Sequence, residues 1–110
     1  MHLQYQEANA IYEQLCKSSL KDLVQALFRA AVRYANIRTE WEFLDVEERV
    51  EMNLERTAAH DRFIDACNIL SRNQVTKGED ATWRQKIGTH RKDIGDFACY
   101  LHAIIGIKNR

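Results

Sequence analysis

A chain of 110 residues is the size of one ordinary domain, so one hydrophobic core is expected over residues 1–110. Apolar residues make up 45% and charged residues 29%, enough for a core under a soluble surface. Sixteen basic side chains balance sixteen acidic ones, which argues against a dedicated nucleic-acid binder, and no apolar run approaches the roughly 18 residues of a membrane span.

The first ten residues carry neither a basic nor an apolar leader, so a cytoplasmic location is expected. Cys16, Cys67 and Cys99 are widely spaced and odd in number, which speaks against a disulfide framework and against a cysteine zinc site. Each stands among apolar neighbours and reads as a small buried hydrophobe in a reducing compartment. Proline is absent and glycine numbers four, where strand-and-turn folds need many of both. The fold class that follows is all-α, a four- or five-helix bundle.

In chain order, Leu3, Ala8, Ile11, Tyr12 and Leu15 form the apolar stripe of a first helix over about 3–16. Ser19 with Asp22 three residues on has the form of a capping box for a second helix, about 20–44. Its face of Leu20, Val24, Leu27, Ala31, Tyr34 and Trp41, interrupted by Arg38, is wide enough for the central helix of a bundle. Asp45 and Glu48 then mark a third helix start. No breaker follows before Gly78, giving a helix over 46–75 that is about 45 Å long at 1.5 Å per residue. A compact domain of this size is about 35 Å across. Either the helix breaks near Arg56 and Thr57, or the bundle is elongated, or one end projects into a partner. Asp80 is placed to cap a short helix carrying Trp83 and Ile87 and stopped by Gly88. Thr89 is placed to cap a last helix to about Ile105.

Charge is shared unevenly: residues 1–40 sum to +1, 41–66 to −5 and 67–110 to +4. The acidic segment contains Glu47, Glu48 and Glu51 in the pattern EExxE, with oxygen ligands at a spacing suited to Mg²⁺. All-α nucleotide pyrophosphohydrolases of the MazG and dUTPase type combine that pattern with ExxD on the next helix. Asp93 and Asp96 read DxxD instead, so a Mg²⁺-dependent hydrolase is the alternative reading and not the leading one. His60 and Asp61 form the dipeptide of HD-type phosphohydrolases, and with Asp65 and His102 they make a possible polar cluster; His90 is a further histidine within reach of that idea. In the last helix Gly95, Cys99, His102 and Gly106 line one edge, a sign of close helix–helix approach within the chain or between copies. Cys99, three residues before His102, is the candidate for a reactive thiol. Trp41 and Trp83, near helix ends, are expected to close the bundle or to anchor an interface.

The strings TAAHDRFIDACNILSR (residues 57–72), TWRQKIG (82–88) and RKDIGDFACYLHAIIGI (91–107) resemble a family of small bacterial cytoplasmic helical proteins of unknown function. The resemblance spans residues 36–107. It implies a bacterial helical domain and carries over no catalytic residue. The functional expectation is a non-enzymatic interaction or regulatory protein that self-associates, needs no cofactor, and has a protein partner in preference to nucleic acid or membrane. Mg²⁺ enters only with the hydrolase alternative.

Overall fold

The computed structural model describes residues 2–109. Five helices and no strand are present among them: α1 (Tyr5–Cys16), α2 (Lys21–Trp41), α3 (Val46–Thr76), α4 (Trp83–Ile87) and α5 (Arg91–Lys108). The all-α reading holds, and none of the described helices is long and apolar enough to cross a membrane.

Helix starts follow local chemistry, with departures from expectation at α1, α2, α4 and α5. Gln4 is extended and its N–H donates to Glu7, so α1 begins at Tyr5, two residues later than the apolar stripe suggests. Leu3, just before the cap, and Ala8, in the second turn, are both buried, the positions of a hydrophobic staple. Asp45 caps α3 as expected: its carboxylate accepts from the N–H of Glu48 at 2.8 Å, and Glu48 accepts from the N–H of Asp45 at 3.1 Å. The Ser19 box does not form. The cap of α2 is Leu20, because the hydroxyl and N–H of Ser19 both donate to Glu79, 60 residues away. The cap of α4 is Thr82 and not Asp80, whose carboxylate accepts from the N–H and hydroxyl of Thr82 and so secures the turn before the helix. The cap of α5 is His90 and not Thr89. Gly78 and Gly88 stand at positive φ (+78° and +76°) at the ends of α3 and α4, a conformation that side chains disfavour.

α2 is the central helix, packed on α3 along one side and α5 along another, while α1 lies mainly on α5. The core runs through Leu27, Tyr34, Phe63, Leu70, Trp83, Phe97 and Leu101, all essentially inaccessible. The Phe63 ring stands 6.3 Å from Tyr34 and 5.9 Å from Phe97, joining α2, α3 and α5. Trp83 closes one end of the bundle, with its indole N–H donating to Gln74 at 2.7 Å.

The third helix resolves its three-way expectation: it is continuous over 31 residues. At about 1.5 Å per residue it is about 46 Å long, which matches the long axis of the 47 × 29 × 28 Å molecule. Its buried residues begin only at Ala59. The first 13 residues, 46–58, therefore form an overhang that buries no side chain completely.

The cysteines divide. Cys67 is buried, and burial pushes its thiol up to about 12, so it is the inert core hydrophobe expected. Cys16 is exposed and Cys99 half-buried, contrary to the uniform reading. Cys16 is the last residue of α1 and lines an open groove beside Tyr12, Phe28 and Ile105.

Candidate functional site

The acidic residues singled out by spacing lie in two places. Glu47, Glu48 and Glu51 are exposed on the first two turns of α3, and Glu48 is engaged as the partner in the capping box. Asp93 and Asp96 lie on α5, each already held by a cation or histidine. His2 Nδ1 meets Asp93 at 2.9 Å, and that hydrogen bond holds the Asp93 carboxyl below the usual carboxylate range. Asp96 accepts from Lys92 at 2.9 Å and from Arg38 at 3.4 Å; the Asp96 contact raises the Lys92 ammonium above its ordinary range. Among the described residues no three His, Cys, Asp or Glu side chains converge as metal ligands would.

The polar cluster of His60, Asp61, Asp65 and His102 is likewise dispersed. His60 Nδ1 lies 3.1 Å from Asp61 Oδ1, and the imidazole packs edge-on against Tyr34, with centroids 5.5 Å apart. Its Nε2 is buried without a hydrogen-bond partner among the described residues, as is Nε of Arg56 one turn earlier. Asp65 is exposed beside α2, and His102 is exposed on α5.

Gly95 earns its place on α5 by close approach. A Cβ there would stand 2.6 Å from the guanidinium of Arg38, which crosses over the glycine to reach Asp96 and donates to Cys99 Sγ at 3.6 Å. This explains why Arg38 interrupts the apolar face of α2. It also gives Cys99 an arginine neighbour. A Cβ on Gly106 would meet nothing within 4 Å, so the four small-edge positions are not one continuous seam within the chain.

The overhang of α3 holds the feature that motif spacing did not single out. Phe43, Val46, Val50 and Leu54 keep 84, 78, 72 and 82% of their surface exposed. The last three follow one another at four-residue steps and form a single ridge along the helix. The signal was present in the sequence as apolar residues at i, i+4 and i+8 within an acidic run. Trp41 braces this segment from beneath: Arg56 stands over its ring at 4.5 Å and Arg49 at 5.6 Å. Arg49 Nε also donates to the Trp41 carbonyl at 3.1 Å.

Two open grooves flank α2. One of about 390 Å³ lies between α2 and α3, its walls formed by Leu23, Ala26, Ala30, Ala66 and Ile69. The other, about 680 Å³, is bounded by α1, α2 and α5, with Tyr12 and Phe28 stacked at 5.3 Å along it. Arg29 and Arg33, one turn apart on the exposed ridge of α2, reach both. A polar relay closes the opposite end: Glu79 accepts from Ser18, Ser19 and Gln74, and Gln74 accepts from Trp83. The serine hydrogen bonds draw the Glu79 carboxyl down to about 2. Comparison of the chain with known protein families, curated proteins and solved structures finds no match.

Proposed function

We propose that this protein is a non-enzymatic helical interaction module that acts by associating with a second copy of itself through the overhang of α3. The exposed ridge of Val46, Val50 and Leu54, with Phe43 beside it, carries this reading. Large apolar side chains that stand in a row on a braced, fully formed helix are the composition of an interface and not of a solvated surface. Burying each of them is worth about 1.5–3 kcal/mol. Four together offset the several kcal/mol that association costs in lost freedom. The bracing of Trp41 by Arg49 and Arg56 supports the same reading, since a preformed surface loses little entropy on docking. The three free thiols suit a reducing, cytoplasmic setting.

Light scattering coupled to size-exclusion chromatography tests the proposal. At micromolar concentration the wild-type chain should run at a multiple of its 12.9 kDa mass. Leu54→Asp, at an exposed position, should run as a monomer with unchanged helicity by circular dichroism. A monomeric wild type at such concentrations removes the reading.

A further inference from the structure

Self-association through the overhang requires a receiving surface, and the molecule presents one of opposite chemistry. The ridge of Val46, Val50 and Leu54 is exposed, with Glu47, Glu51 and Glu55 exposed along one side of it; on the other side Val46 and Val50 border a shallow hollow with Trp41, Arg49 and Asn53. None of these carboxylates takes part in an ion pair among the described residues. The groove between α2 and α3 is concave, apolar on its walls, and edged by Arg29, Arg33 and Arg62 against a single acid, Asp65. None of those three arginines is ion-paired among the described residues either. An exposed apolar ridge with one acidic side and an apolar groove with basic edges match in polarity and charge.

The ridge cannot fill the groove of its own chain. Both stand on α3, and Val50 and Ala66 are 16 residues apart on one uninterrupted helix, about 24 Å at 1.5 Å per residue. We propose that the α3 ridge of one copy seats in the α2–α3 groove of a second copy, with the glutamates of the ridge meeting the arginines of the groove. In this proposal the exchange is reciprocal, each copy seating its ridge in the other's groove, so the assembly closes as a dimer with twofold symmetry and not as the head-to-tail chain that a one-way contact would propagate. This rests on the self-association proposed above and names the partner surface for it.

A charge exchange tests the pairing. One variant carries Glu51→Arg and Glu55→Arg; another carries Arg29→Glu and Arg33→Glu. All four positions are exposed, and circular dichroism checks that both variants keep their helices. Each variant alone confronts like charges at both contacts, so its dimer dissociation constant should rise about tenfold or more. An equimolar mixture restores opposite charges at both contacts and should form a heterodimer within about threefold of wild-type affinity, read by light scattering and by native mass spectrometry. If the variants dimerise as wild type does, or the mixture stays monomeric, this pairing is overturned. If Leu54→Asp alone abolishes a wild-type dimer while the charge variants leave it intact, self-association stands and the groove is not its receiver. A monomeric wild type removes both.

Discussion

The two halves of α3 share one uninterrupted backbone and differ in almost everything else. Residues 59–76 bury Ala59, Phe63, Cys67 and Leu70 against α2 and α5 and end at the Trp83 closure. Residues 46–58 bury nothing completely and present Val46, Val50 and Leu54 to solvent. The first half is helical because propagation from a nucleated helix costs little. Its capping box satisfies the leading N–H groups, and Trp41 holds Arg49 and Arg56 in place. The second half is helical because its apolar face is the core. A regular helix thus says nothing by itself about which of its turns stabilise the fold and which are left free for contact.

Paired truncations should expose the contrast most strongly. Phe63→Ala removes a ring packed between Tyr34 and Phe97 and should cost about 3–5 kcal/mol in urea denaturation. Leu54→Ala, measured at concentrations too low for association, should change stability by less than about 0.5 kcal/mol. Equal losses at the two sites would mean that the overhang is packed after all. Trp41→Ala should have an intermediate effect, about 1–2 kcal/mol through lost cation–π contacts. Hydrogen exchange should then rise across residues 46–58 while 59–76 keep their protection. Uniform protection loss would show that the two halves open as one unit.

The smallest effect concerns the far end of the packed half, where Glu79 ties the turn after α3 to Ser18 and Ser19. Its carboxyl, drawn down to about 2 in the folded chain, has an ordinary value of about 4.3 when unfolded. The folded state therefore gains from the ionised form above the ordinary value and loses that gain as pH falls toward about 2. Glu79→Gln should lower the melting temperature at pH 7, and the difference from wild type should shrink on acidification through that range. A difference that stays constant with pH would show that the carboxylate charge contributes nothing.

Much of the scaffold was legible in the residues. The Asp45–Glu48 box and the stops at Gly78 and Gly88 depend on groups within a few positions of one another. The same local logic failed at Ser19, because the competing acceptor, Glu79, is distant in sequence and near only after α3 returns the chain to the α1–α2 elbow. Arg38 was read as an interruption of the α2 face. Its purpose lies in Asp96 on another helix and in the missing Cβ of Gly95 beneath it. For the site, carboxylate and histidine spacing drew notice to Glu47, Glu48, Glu51, Asp93 and Asp96 and to His60, Asp61, Asp65 and His102. Spacing along a helix brings groups to one face but does not decide whether two faces meet, and among the described residues these groups do not converge on a common ligand.

The sequence by itself determined that the chain is helical and, to within a few residues, where its helices lie; it left open whether the third breaks or runs on. Those properties follow from proline content, caps and 3.6-residue periodicity, which act over one or two turns. Only the tertiary structure decided which apolar residues are covered. Val50 lies about 140° around α3 from Phe63, and the face that meets the bundle is the one that carries Phe63 and the half-buried Arg49, Met52 and Arg56.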